Sequence, residues 1–423
     1  MNPSPLRRAR GFTLVELLIA LAITGIVLAS LFGVVQSQQT AYFEGHLQRA
    51  AQNSARSALS FVEQRLAMAG YGLDAPLAFD FQYYGSVAEP LPCPALAAPC
   101  VRDSVNGNDE LVFYARNPHY WVPEDRSGAV QPSGNAWRVI SVGSGSLTLS
   151  ARERDAFEKG RILQVVCKDG AKYAYMTVSQ TVGPLAAANA ALAIPLAASV
   201  SSNPYRRQDA TAAEGCFSDG NARAFLVDRF RFHVRPVDVG GNAGVRPYLV
   251  LDTGLDRNND GADEAEETVV AEGIESFQVG YVMTSAALAP RGTTPGTAIA
   301  FTPGTGGSTS GTGMTTLSYP GLADPGEWEY QPTSWYRYAV GPTPAVANER
   351  LTDHQANIRA VRLTIVARGP EPEPAGGRVE YLLPILNQNA LPAWISPTVP
   401  YNRARVETTV SVRNMTSRGM NDF

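Results

Sequence analysis

A chain of 423 residues has material for one large domain or two ordinary ones, and its 44% of hydrophobic residues excludes wholesale disorder. A formal net charge of −4 argues against a nucleic-acid binder held by a strong basic field. Basic residues are nearly all Arg, with Lys only at Lys159, Lys168 and Lys172. The 38 Gly and 30 Pro suit strands, turns and long loops better than a helical bundle.

Residues 1–11, MNPSPLRRARG, carry Arg7, Arg8 and Arg10 and no acid. Residues 12–35 are apolar apart from Glu16. At ~1.5 Å per residue this run reaches ~36 Å, enough to cross a ~30 Å hydrocarbon core. The arginines keep their flank cytoplasmic. An ordinary signal peptide is cut after its apolar run at small residues. Here Gln36-Ser37-Gln38-Gln39-Thr40 follows without such a site, and helical patterning continues. A lone carboxylate inside a spanning helix costs roughly 2.5–3.5 kcal/mol and marks function, so Glu16 needs a cation as partner.

Gly11-Phe12-Thr13-Leu14-Val15-Glu16 resembles the type IV prepilin motif. The resemblance implies that a prepilin peptidase removes residues 1–11 as a leader, cutting between Gly11 and Phe12, and methylates the Phe12 amine. It implies that Glu16 pairs with the Phe12 amine of a neighbouring subunit during filament assembly. It also implies a single-pass inner-membrane precursor whose remaining residues are periplasmic.

The apolar stripe does not stop at the membrane. Phe43, Leu47, Ala50, Ala51, Ser54, Ala58, Phe61, Val62, Arg65 and Leu66 recur at spacings of three and four. With no Pro from Phe12 to Gly70-Tyr71-Gly72, one helix is expected over residues 12–72. Gly25, Gly33 and Gly45 are its soft points. Many major pilins carry Pro where Gly33 stands.

Residues 73–423 form an exported β-rich region. Strands are expected at Leu111–Tyr114, Trp137–Val142, Ile162–Val166, Tyr173–Val178, Phe225–Val234, Tyr248–Leu251, Ile274–Val282, Ile358–Ala367 and Val406–Val412. A long helix followed by antiparallel strands gives the α+β class. Residues 284–347 interrupt the pattern with a Gly/Thr/Ser/Pro-rich stretch, expected to be a flexible or weakly ordered insertion. Its aromatic tail, Trp328 to Tyr338, is expected to pack back on the sheet or to present a contact patch.

Cys93, Cys100, Cys167 and Cys216 all lie in the exported part, as disulfides formed in an oxidising compartment require. Of three possible pairings we favour Cys93–Cys100 with Cys167–Cys216, against the alternative of free thiols. Zinc is disfavoured, since no C-x-x-C pair exists and the four His are scattered.

Residues 256–267 satisfy the calcium-loop pattern D-x-[DN]-x-[DN]-G-x5-E. Oxygens from Asp256, Asn258, Asp260, the Ala262 carbonyl and Glu267 would hold Ca²⁺, with Gly261 making the turn. Strand-like flanks make this a loop between strands and not an EF-hand. The competing reading is a solvated acidic turn.

Three further stretches are similar to PilW-like minor pilins: GRILQVVCKDGAKYAYMTV at 160–178, AEGIESFQV at 271–279 and RVETTVSVRN at 405–414. Such subunits prime assembly at the inner membrane and stay near the pilus tip. The implied partners are the major pilin, other minor pilins and a PilY-type adhesin. The competing family is the J-type pseudopilin of type II secretion, which shares the N-terminal logic. An enzyme is not expected: G-x-S-x-G, H-E-x-x-H and Gly-Lys steps are all missing, and His46, His119, His233 and His354 lack ligand spacing.

Overall fold

The computed structural model describes residues 13–73, 78–80, 108–117, 136–143, 145–150, 156–167, 173–183, 191–198, 217, 222–240, 245–256, 267–283, 314–315, 327–330, 358–372, 394–395 and 401–415. One helix, α1 (Leu14–Leu66), runs unbroken through Gly25, Gly33 and Gly45. A Cβ at any of these glycines would meet nothing within 4 Å, so no close contact demands glycine there. After the Ala67 cap, Gly70 (φ 75°) and Gly72 (φ 66°) take left-handed conformations that turn the chain back onto the sheet. The helix therefore ends at Leu66, short of the expected residue 72, and Gly70 and Gly72 shape the turn that follows it.

The face of α1 that packs inward carries Leu47, Ala51, Ala55, Ala58, Val62 and Leu66, all at most 1% exposed. Ala55 joins this face, while Phe43, counted there from sequence, is exposed. Small residues at 51, 55 and 58 let the helix lie close to the sheet.

The strands are β1 (Leu111–Arg116), β2 (Ala136–Val142), β3 (Ser146–Ser150), β4 (Ile162–Cys167), β5 (Tyr173–Thr177), β6 (Ala191–Pro195), β7 (Ala222–Asp238), β8 (Val245–Asp252), β9 (Thr268–Glu272), β10 (Ile274–Met283), β11 (Met314–Thr315), β12 (Glu327–Tyr330), β13 (Ile358–Arg368) and β14 (Arg403–Ser411). All nine expected strands are present, and every ladder among them is antiparallel. The α+β expectation holds. Within residues 284–347, β12 opens the aromatic tail expected to pack back on the sheet and pairs with β10 in the register Tyr281↔Trp328. That part of the expected loose insertion is strand; 316–326 and 331–347, with Trp335, Tyr336 and Tyr338, lie outside the described residues.

Strand β7 organises two separate cores. Its second half pairs with β1 (Arg116↔Val227 to Leu111↔Phe232) and with β8 (Arg231↔Asp252 to Asp238↔Val245). Phe230 and Phe232 there enter the core shared by α1, β1, β8, β10, β13 and β14. Its first half pairs with β4 and β2, within the order β5-β4-β7-β2-β3-β6. That order closes on itself. Val178 bridges Leu196, Ser179 N–H donates to the Pro195 carbonyl at 2.9 Å, and Ala197 N–H to the Thr177 carbonyl at 2.8 Å. The result is a small six-stranded antiparallel barrel. Alternate residues of each strand fill it, among them Trp137, Leu149, Leu163, Met176, Ile194 and Leu226.

The five-stranded sheet β11-β12-β10-β13-β14 is spliced to the larger sheet by side chains that imitate a strand. Asn108 Oδ1 accepts from Phe277 N–H at 3.1 Å and Asp109 Oδ2 from Val279 N–H at 2.8 Å, while Asp109 N–H donates to the Phe277 carbonyl. At the base, Glu275 is fully buried. Arg403 Nε approaches its Oε2 at 2.6 Å and Arg368 Nη1 its Oε1 at 3.4 Å, with Tyr401 stacked against Arg368. Removing one member of such a buried pair strands the opposite charge, which costs about 3–5 kcal/mol. Urea unfolding of the exported region, without residues 1–39, should show a loss of that size for Glu275→Ala. A loss below ~1 kcal/mol would mean that the network is solvated.

Candidate functional site: the exposed start of the long helix

From Leu14 to Val35 every large apolar side chain of α1 stands between 45% and 74% exposed. Full burial of each such side chain is worth about 1.5–3 kcal/mol, so these fourteen leave on the order of 10–30 kcal/mol unclaimed in water. That matches or exceeds the ~5–15 kcal/mol net stability of a whole domain. This helix is long and apolar enough to cross a membrane. Its described apolar part reaches ~33 Å at ~1.5 Å per residue.

Glu16 sits in the first turn. Thr13 is the N-cap: Glu16 N–H donates to Thr13 Oγ1 at 3.3 Å, and Glu16 Oε2 accepts from the Thr13 N–H and hydroxyl, each at 3.0 Å. This reciprocal capping box satisfies helix-start donors that hydrocarbon cannot. Within one chain the carboxylate therefore has a neutral partner one turn away and no cation among the described residues. Gly11 and Phe12, the expected cleavage pair, lie outside the described residues. Sequence reading missed the role of Thr13, although T-x-x-E ahead of an apolar run is the visible signal.

The loop of residues 256–267 is described only at its two ends; Asn258, Asp260 and Ala262 lie outside the described residues. Asp256 is buried, and Lys159 Nζ lies 2.5 Å from its Oδ2. Glu267 receives His233 Nε2 at 3.1 Å and Arg235 Nη1 at 2.7 Å. Burial alone would raise the Glu267 carboxyl, but the His233 and Arg235 hydrogen bonds outweigh it and hold the pKa below its usual value. Both described ends thus meet basic side chains that sequence reading did not connect with them. Among the described residues no cluster of three or more His, Cys, Asp and Glu is arranged to hold a metal. Cys167, at the end of β4 inside the barrel core, is disulfide-bonded; Cys93, Cys100 and Cys216 lie outside the described residues.

Comparison with known proteins gives one match: residues 6–32 fit the family model of the prokaryotic N-terminal methylation motif. No curated protein and no solved structure gave a significant match. The motif together with the α+β layout supports a type IV pilin-like or pseudopilin-like protein, with the N-terminal helix fitting inner-membrane anchoring before assembly. The same motif suggests processing by prepilin peptidase and assembly with other pilins. Proteins that carry it are structural, and generally not enzymes.

The charges flanking the loop give a pH prediction. Burial would raise the Asp252 carboxyl, but Arg229 and Arg231 beside it, with the Gly254 N–H at 2.6 Å, hold it below its ordinary value of 3.8. A depressed carboxyl adds stability above its unfolded pKa, and that stability fades as pH falls through the folded value. Asp252→Asn should therefore destabilise the exported region near neutral pH. The deficit against wild type should shrink in melts taken below about pH 3.8. A deficit that stays constant into acid would refute the charge explanation.

Proposed function

We propose that this chain is a minor pilin of a type IV pilus, cut by prepilin peptidase before Phe12, that helps to prime assembly at the inner membrane. The observation that carries the reading is a helix with a wholly exposed apolar first half, led by the matched methylation motif and continuous with a packed second half. Lipid covers the exposed half before assembly, and neighbouring helices replace lipid in the filament. Glu16 then exchanges its Thr13 partner for the methylated amine of Phe12 on the adjacent subunit, giving the carboxylate its cation. The PilW-like internal stretches favour a pilus over a J-type pseudopilus, and the implied companions are the major pilin, other minor pilins and a PilY-type adhesin at the pilus tip.

The test combines mass spectrometry with one substitution. Peptides from the sheared filament fraction should begin at N-methylated Phe12, and Glu16→Ala should leave membrane insertion intact while cutting incorporation at least tenfold. An uncut Met1 terminus in filaments, or normal incorporation of the variant, would remove the basis of the reading. The same non-reducing digest should contain a Cys167–Cys216 peptide. Phe217, next to Cys216, is fully buried in the barrel core with Cys167, which supports that pairing. Cys93–Cys100 is the remaining pair of this proposal.

A calcium ion at 256–267, held by Asp256, Asn258, Asp260, Ala262 and Glu267, is part of the same proposal. It would displace Lys159 at one end and share or displace the His233–Arg235 pair at the other. Extracellular modules bind Ca²⁺ at roughly 10⁻⁴–10⁻³ M, so millimolar calcium should add about 1 kcal/mol. Melting of the exported region should rise with calcium over chelator, and Asp260→Ala should lose most of the rise. Identical wild-type melts in both conditions leave the loop an acidic turn.

A further inference from the structure

Pairing across the barrel sets out its outer face in rows. Trp137, Val165, Ala174 and Ala224 fill the interior, so the residues that flank them in each strand face outward. One outward row crosses β2, β7, β4 and β5 through the partners Arg138↔Arg223, Arg223↔Val166 and Val166↔Tyr173. The row beside it holds Ala136, Phe225, Gln164 and Tyr175. Neither row contains an acid. Arg116 reaches into the second row from β1, where its Nε and Nη2 donate to Gln164 Oε1 at 3.3 and 2.9 Å and its guanidinium lies 3.7 Å from the Phe225 ring centroid. Gln164 Nε2 in turn donates to the Tyr175 hydroxyl at 3.1 Å.

Arg138 and Arg223 stand differently. They are directly opposite across the β2–β7 ladder, which puts their Cβ atoms ~5 Å apart, and like charges so placed destabilise a sheet. Among the described residues neither makes a hydrogen bond, an ion pair or a ring contact. The other arginines of β7 are all matched: Arg229 and Arg231 by Asp252, Arg231 also by Glu110, and Arg235 by Glu267. Arg138 is exposed and Arg223 half-buried, so neither guanidinium is needed to fill the core. The fold carries an unfavourable pair that its own packing does not use.

We propose that this row binds an acidic polysaccharide, with a uronate carboxylate held between Arg138 and Arg223 and a neighbouring sugar ring against Tyr173. A carboxylate between opposed guanidinium groups cancels their repulsion and accepts paired hydrogen bonds from two planar forks. Tyr173 lies two strands from Arg223, ~10 Å away. It is half-buried and held edge-to-face by Tyr175 at 5.8 Å, which fixes its ring for the C–H face of a sugar. Nucleic acid fits less well. Its affinity accumulates over many phosphate contacts, whereas this row offers one arginine pair on a chain of formal net charge −4. A polymer with one carboxylate per sugar and apolar ring faces matches one charged pair beside one ring. The inference needs the barrel to lie outside the inner membrane and is independent of the choice between pilus and pseudopilus.

The test titrates the full-length chain, in non-ionic detergent, with oligogalacturonate, neutral dextran and a single-stranded oligodeoxynucleotide. Oligogalacturonate should bind and dextran should not. Arg138→Gln and Arg223→Gln should each weaken oligogalacturonate on the order of tenfold, the loss of one charge-assisted hydrogen-bonding partner. The same variants should melt no lower than wild type, since each removes a like-charge repulsion. If Arg223→Gln does not fold, Arg223→Lys decides, because it keeps the charge and loses the fork; weaker binding supports the pair. Wild type that ignores oligogalacturonate, or variants that bind it as well as wild type, would overturn the proposal. So would variants that lose binding only by melting lower, and so would an oligodeoxynucleotide that binds the row more tightly than oligogalacturonate.

Discussion

A β-strand has two edges and two faces, and the 17-residue β7 uses both edges, pairing with β2 and β1 along one and with β4 and β8 along the other. At ~3.3 Å per residue it is long enough to span one core and enter another, which the more usual five- or six-residue strand is not. Its second half presents Phe230 and Phe232 to the helix, and its first half presents Ala222, Ala224 and Leu226 to the barrel. The change in side-chain size follows the change in surroundings. A small barrel has little interior width and takes alanines at two of three positions, whereas the helix–sheet interface is filled by aromatic rings stacked with Phe113. The opposite face of β7 around its middle carries Arg229, Arg231, His233 and Arg235, matched by Glu110, Asp252 and Glu267. Side chains here alternate between a hydrocarbon core and a ladder of ion pairs, so a one-residue slip would drive guanidinium groups into the phenylalanine cluster. Register is therefore fixed by a penalty far larger than any single hydrogen bond.

The helix faces a different constraint, since one continuous element must suit two surroundings. Its packed half presents small residues inward and polar ones such as Arg49, Asn53 and Arg56 outward, which water tolerates. Its first half is apolar all round, which only lipid or other helices tolerate. Thr24, Ser30, Ser37 and Thr40 return their hydroxyls to carbonyls of the preceding turn at 2.7–3.0 Å, so even the polar side chains of this half and its exit make no demand on solvent. Thr13 and Glu16 do the same at the helix start. What remains is a formal charge whose neutral partner satisfies its geometry but not its sign. In the assembly we propose, a positively charged terminus of a neighbouring subunit would correct that imbalance.

Much of this was legible in the sequence because it rests on periodicity and on one motif. The inward face of α1, the nine expected strands and the Gly70–Gly72 turn after the helix all follow from spacing and turn chemistry. The barrel was not legible. β3 (SLTLS) and β6 (ALAIP) are five residues long and diluted with Ser and Ala, and closure depends on Val178 meeting Leu196 across a fold that no local pattern encodes. Strand β12 was hidden because the Gly/Thr-rich stretch before it dominated the composition of residues 284–347. The partners of Asp256 and Glu267 were invisible for a related reason. Lys159 is 97 residues from Asp256, and His233 and Arg235 read as ordinary strand residues until β7 and β9 are placed together.

The placement of the disulfide fits the unequal resources of the two lobes. The helix lobe builds its core from a helix and strands of both sheets, with a buried Glu275–Arg403 pair at one end and the Asn108–Asp109 splice joining the sheets. Apart from its share of β7, the barrel has five short strands, four of them of five or six residues. A core of that size yields little surplus over the chain entropy it must offset, and crosslinks are how small secreted domains make up the difference. Cys167 lies in this smaller core, on β4 where it pairs with the first residue of β7, Ala222. A crosslink at that point removes conformations from the unfolded chain while leaving the folded ladder undistorted, worth typically 2–4 kcal/mol. The same position ties down the end of the strand on which the barrel hangs.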